Sequence, residues 1–108
     1  MKKGYNGEYN AKQELIKKYK KENVIKVAIG GAMDFIVIKY NRIIKIVEVK
    51  ETISKKYYPL LQEKEQIQRI ICFGKKHKIR SELWIYYRKG GGIKTEKEIR
   101  VLYDPNIT

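Results

Sequence analysis

Residues 33–50 read MDFIVIKYNRIIKIVEVK. Two apolar, largely β-branched runs flank a polar YNR, which predicts strands over 33–39 and 43–50 joined by a tight turn at Asn41. Strands this apolar belong inside a sheet. Yet an acid heads the first strand at Asp34, and Glu48 and Lys50 close the second. Such charges survive in a core only with partners or with work to do.

Strand side chains alternate faces, so Glu48 and Lys50 point the same way, roughly 7 Å apart along the strand. Asp34 shares a face with Ile36 and Ile38. Hairpin register decides whether Asp34 meets Glu48. A two-residue turn at Asn41-Arg42 pairs residues summing to 83 and sends the two acids to opposite faces. A three-residue turn, or an equivalent bulge, pairs residues summing to 82. Asp34 then lies across from Glu48 with about 5 Å between Cβ atoms. The second arrangement is the one expected here. Carboxylates that close repel unless a cation neutralises them or one holds a proton. Converging hard oxygen ligands suit Mg²⁺, with Mn²⁺ as a substitute. With Lys50 alongside, the layout suits phosphodiester hydrolysis: the ion binds a phosphate oxygen and acidifies a water, and the lysine orients that water or offsets charge on the phosphorane. The plainer alternative is a strand-end salt bridge to Lys50.

The rest of the chain supports a small α/β domain spanning 1–108. A helix is expected over 7–21, where Ala11, Leu15 and Tyr19 recur at spacings of four, with Asn6 as its N-cap. A strand is expected over 24–29, and Gly30-Gly31 then lets a substrate backbone approach. ETISKKYYP reads as a loop, residues 60–78 as a second helix, SELWIYY and EIRVLY as strands, and RKGGG as a turn. The order α-β-β-β-α-β-β implies a mixed sheet of about five strands flanked by helices. Lys and Arg total 25 against 12 Asp and Glu, a formal net charge of +13. That surplus favours a polyanion, nucleic acid before membrane surface. One cysteine excludes an internal disulfide and a multi-cysteine zinc site. No stretch has the apolar length of a signal peptide or a membrane span, so an intracellular, cytoplasmic protein is expected.

GGAMDFIVI, fourteen residues from Asp34 to Glu48, then EVK resembles the core of PD-(D/E)xK nucleases. Nearly end to end, with KKGYNGE at residues 2–8 and the helix EQIQRIICFGKKH, the chain resembles archaeal-type Holliday junction resolvases. The resemblance implies a restriction-endonuclease-like fold and a homodimeric, Mg²⁺-dependent enzyme that cuts four-way DNA junctions. It implies that Glu8, Asp34, Glu48 and Lys50 are catalytic. Asp34 and Glu48 would hold the metal, with the Val49 carbonyl and Glu8 completing the set. Lys2, Lys3, Gly30, Gly31, Lys55, Lys56 and Tyr57 would contact DNA. Met33 stands where the superfamily's name has proline, no Ser or Thr precedes Asp34 in residues 29–32, and Tyr9 replaces an arginine that often follows the helix acid. The same core on another DNA substrate, or a non-catalytic binding module, are the alternatives.

Glu8 also heads the Ala11–Leu15–Tyr19 stripe, which points it inward, although an acid at a helix start needs no catalytic reason. His77 reads as a solvated helix-end residue and Cys72 as core or interface packing. Gln66 and Gln68 read as solvent-facing. Tyr57 and Tyr58 either stack on nucleic acid or cover the core edge. Ile70, Ile71, Phe73 and Trp84 offer apolar surface for a dimer.

Overall fold

The computed structural model describes residues 7–27, 33–88 and 95–106. Lys2, Lys3, Gly30 and Gly31, expected to contact DNA, lie outside them, as do the expected cap Asn6 and the expected turn at Gly90–Gly92. Five strands form one mixed sheet: β1 (Val24–Lys26), β2 (Phe35–Lys39), β3 (Arg42–Thr52), β4 (Arg80–Arg88) and β5 (Thr95–Tyr103). Their spatial order equals their chain order. All neighbours are antiparallel except β3 and β4, which run parallel. A parallel pair needs a crossover, and helix α2 (Leu61–His77) supplies it. Helix α1 (Gly7–Tyr19) precedes the sheet. The expected α/β element order is present. β1 ends at Lys26, and residues 28–29 of the expected strand lie outside the described residues; β3 runs two residues further, and a short 3₁₀ turn occupies Lys21–Asn23.

Period-two alternation divides the core between the two sheet faces. Phe35, Val37, Val47, Val49, Trp84 and Tyr86 pack against Ala11 and Leu15 of α1. Ile46, Leu83 and Ile85 turn the other way, toward the α2 side that carries Ile67 and Ile70. Gly7 lets α1 start hard against the sheet: a Cβ there would lie 2.8 Å from Glu51 Cγ and 3.0 Å from a Tyr86 ring carbon. Glu51 in turn accepts a hydrogen bond from the Gly7 N–H, holding the helix start on β3. Gly74 does the same for α2, where a Cβ would collide with Ser81 Oγ.

Several apolar residues sit elsewhere than expected. Ile70 and Trp84 are buried within the single chain, and Ile71 and Phe73 are half-buried or exposed only in part. They offer little surface to a dimer. The exposed apolar residues instead include Ile53, Tyr58, Leu60 and Leu61, on the segment before α2 and its first residue. Cys72 is exposed, so of the two expected roles it does not fill the core. His77 is exposed at the end of α2, its ring against Phe73 at 4.5 Å between centroids.

The β2–β3 hairpin decides whether the two acids meet. Tyr40 and Asn41 both have left-handed backbones, φ 54° and 62°. That is the signature of a two-residue turn whose twist matches its strands. Lys39 pairs with Arg42 and Ile38 with Ile43, both summing to 81. A β-bulge then intervenes, leaving Ile44 as the extra residue of β3. From Val37↔Lys45 to Phe35↔Val47 the pairs sum to 82. Turn and bulge together produce the register that the acid pair needs. Without the bulge, Asp34 would oppose position 47 and Glu48 would face away from it.

Candidate active site

Asp34 immediately precedes β2 and is anchored by its own backbone. Its N–H donates to Val47 O at 2.9 Å, and its carbonyl accepts from Val27 N–H at 2.8 Å. Its side chain crosses to β3, where Oδ2 accepts from the Val49 N–H at 2.8 Å. Glu48 is 3% exposed on the α2 face of β3. The two carboxylates lie close enough for each to act on the other's protonation. Val49 therefore enters the site through its N–H, oriented toward Asp34.

Burial and mutual repulsion set the electrostatics. Desolvation raises the Glu48 carboxyl first, and the Asp34 charge adds to it. Lys50 pulls the other way, and the balance lies at about 7. Burial also raises Asp34, with Glu8 contributing, while the Val49 N–H and Lys26 oppose the shift. One oxygen of Glu48, Oε2, lies 3.2 Å from Lys50 Nζ. The other, Oε1, is buried with no hydrogen-bond partner. A buried carboxylate oxygen left unpaired is rare, and such atoms commonly meet an ion or water.

Lys50 is held from the helix side. Its Nζ donates to Gln66 Oε1 at 2.8 Å and lies 3.9 Å from Glu63 Oε2. Gln66 is half-buried and so is not the solvent-facing residue expected from sequence. A sequence signal for it exists. Glu63, Gln66, Ile67, Ile70 and Gly74 follow helical steps of three and four, so the two polar residues head the stripe that meets the sheet. Glu8 heads the corresponding stripe on α1.

Glu8 does not join the pair. Its Oε1 lies 2.6 Å from Lys26 Nζ, and both side chains are 44% exposed. Lys26, unforeseen from sequence, draws Glu8 aside while its charge also reaches Asp34 and Glu48. Among the described residues, no three His, Cys, Asp or Glu side chains gather as a metal-ligand set. Asp34 and Glu48 are a pair, and the orphaned Glu48 oxygen is the atom that fits a bound cation.

Lys55 and Lys56 are exposed on the segment after β3. Lys56 and Tyr58 line a cavity of about 240 Å³ that also includes Glu63. Tyr57 is 6% exposed, packed with Leu83 and Ile85. It covers the core edge and is not available to stack on nucleic acid. Its buried hydroxyl has no hydrogen-bond partner. Burial, then Glu63, pushes that hydroxyl well above the ordinary phenol range.

No family model and no curated protein matches the chain.

Proposed function

We propose that this chain is a metal-dependent endodeoxyribonuclease of the restriction-endonuclease-like fold that resolves four-way DNA junctions. The observation that carries the reading is Glu48. Its carboxyl is buried, raised to about 7 by burial and by Asp34, unpaired at Oε1, and next to Lys50 on the same strand face. A group tuned near neutrality in that setting belongs to proton transfer or cation binding rather than to stability.

Asp34 and Glu48 would hold a Mg²⁺ ion, with Mn²⁺ a substitute. When bound, the ion would supply charge neutralisation at the scissile phosphate and a more acidic water. Lys50 places an ammonium beside Glu48, fixed by Gln66, where it would offset charge on the phosphorane. Lys26 adds a second positive charge on the other flank. Lys56 shares a cavity with Glu63, and the exposed Lys55 and Lys56 would suit the sugar-phosphate backbone. The products would carry 5′-phosphate and 3′-hydroxyl ends. The chain's net charge of +13 suits selection by shape and phosphate contacts, with affinity falling steeply with salt. The protein would act as an intracellular homodimer, each copy nicking one symmetry-related strand. Among the described residues no helix is long and apolar enough to cross a membrane.

A second reading rests on the 3.2 Å contact between Lys50 and Glu48. Such a bridge also suits a binding module without chemistry. A labelled synthetic junction and a matched duplex, each with Mg²⁺ and with EDTA, separate the two. Paired nicks in the junction alone, lost with EDTA and in Asp34→Ala and Glu48→Ala, are expected. Tight binding without cutting would leave the binding module. Cutting of both substrates would keep the nuclease and remove junction selectivity. Sedimentation at twice 12.8 kDa is expected, and a clean monomer would sink the two-fold model.

A further inference from the structure

A second basic surface lies at the opposite end of the β2–β3 hairpin from the acid pair. A cavity of about 330 Å³ is walled there by Lys18, Tyr19, Lys20, Asn23, Ile38, Lys39 and Tyr40. Three lysines and two tyrosines line it, and among the described lining residues there is no acid. Tyr40 stands 85% exposed at the hairpin tip, with Lys39 Nζ 5.4 Å from its ring centroid. Lys18 and Tyr19 form the wall shared with a larger groove of about 570 Å³, where Lys45 and Arg80 pair with Glu82 and Lys97 pairs with Glu14. Lys18 and Lys45 lie 5.3 and 5.2 Å from the Tyr19 ring centroid. Burial disfavours ionisation of that phenol, yet the two lysines outweigh it and hold it below the ordinary value. The smaller cavity differs from that groove in having three lysines and no acid among its described lining residues.

The backbone carries a further mark. Lys20 has φ 79° and ψ 149°, a conformation that suits glycine and strains a side chain. The chain nonetheless holds a lysine there, at the rim of an acid-free cavity. Glu48 is six residues along β3 from Arg42, which at the usual rise is about 20 Å. A ligand in this cavity does not compete with the acid pair.

We propose that this cavity binds an unpaired segment of nucleic acid, with phosphates on Lys18, Lys20 and Lys39 and a base stacked on Tyr40. An exposed aromatic ring with an ammonium beside it, at the edge of a lysine-lined cavity, is the arrangement that grips single strands without reading sequence. An unpaired base is needed because a duplex keeps its bases stacked away from such a ring.

The test is fluorescence anisotropy of a labelled oligothymidylate and of a labelled duplex, with EDTA present. Binding is thus read independently of cleavage and of the acid pair. Tyr40→Ala is expected to weaken the single strand about tenfold, within the usual loss for one stacking contact, and to leave the duplex nearly unchanged. Lys39→Ala should lower the salt slope for the single strand by about 0.7, the loss of one phosphate contact. Lys75→Ala, which removes an equal exposed charge at the end of α2, should change the oligothymidylate far less. Lys20→Gly gives the sharpest reading: it should raise or preserve the melting temperature, because strain is relieved, while weakening the single strand. Unchanged oligothymidylate affinity in both Tyr40→Ala and Lys20→Gly would overturn the proposal. So would equal losses for single strand and duplex, which would leave a diffuse basic surface. Asp34→Ala should bind the oligothymidylate normally whichever way the nuclease assay falls.

Discussion

Glu48 and Glu82 stand on adjacent strands, each 3% exposed, yet their carboxyls are shifted in opposite directions. Glu82 faces α1. Burial alone would raise it, but Arg80 Nε, Trp84 Nε1 at 2.8 Å and Lys45 Nζ at 3.3 Å surround both oxygens and bring it below the usual value. Glu48 faces α2. It has one cation, one orphaned oxygen and another carboxylate beside it, so burial prevails. Equal burial therefore says nothing about role; the completeness of the partner shell does. A satisfied buried acid is architecture. An unsatisfied one is held ready for something else.

Substitution should expose that difference most strongly. Glu82→Ala removes the partner of Lys45, which is 8% exposed and would be left as a buried charge. A loss of about 3–5 kcal/mol is expected from chemical denaturation. Glu48→Ala should cost far less, because Lys50 keeps Gln66 and Glu63 and the repulsion on Asp34 disappears. If the two substitutions cost the same, the distinction between the two shells fails.

Acidity gives the next largest contrast. The Glu48 carboxyl in the folded chain, about 7, lies above the unstructured value of 4.5. Between those limits the folded state holds the extra proton, so the Glu48 contribution is fully present below about 4.5 and is lost as pH rises through 7. The integrated loss is at most about 3 kcal/mol. Glu82 carries the opposite sign: its folded value is depressed, so its contribution is present above 4.5 and lost as pH falls through the folded value. Denaturation midpoints at pH 5 and pH 8 should therefore show wild type losing stability on the alkaline side, and Glu48→Gln should flatten that slope. Mg²⁺ should stabilise wild type more at pH 8 than at pH 5. An unchanged slope in Glu48→Gln would remove the proton from Glu48.

Much of this contrast could be read in the sequence, and some could not. The element order followed from periodicity and from Asn41 and the glycines. The acid pair followed from Asp34, Glu48 and the arithmetic of register. The particular device, a two-residue turn at Tyr40-Asn41 corrected by a bulge at Ile44, did not, because several turn and bulge combinations give the same sum. Lys26 was hidden because its partner, Glu8, lies on another element and at a separation of 18 residues. Tyr57 beside two lysines read equally as nucleic-acid contact or core edge, and only its packing against Leu83 and Ile85 decides. Gln66 was legible in its helical spacing but easily missed, since an amide carries no charge to mark a site.

Gln66 also supplies the smallest effect that separates the two glutamates. Its Oε1 lies 2.8 Å from Lys50 Nζ, against 3.2 Å for Glu48 and 3.9 Å for Glu63. Gln66→Ala should cost about 1 kcal/mol of stability, the net worth of one such hydrogen bond. Its effect on chemistry should be distinct from its effect on folding. The lysine would be freed to close fully on Glu48, lowering the Glu48 carboxyl and moving the acidic limb of any pH–rate profile downward. Gln66→Glu tests the reverse: a third carboxylate would compete for Lys50 and move that limb upward. If neither variant moves the limb while both alter stability, Gln66 is merely packing. Lys50 would then be positioned by Glu48 and Glu63, as the salt-bridge reading requires.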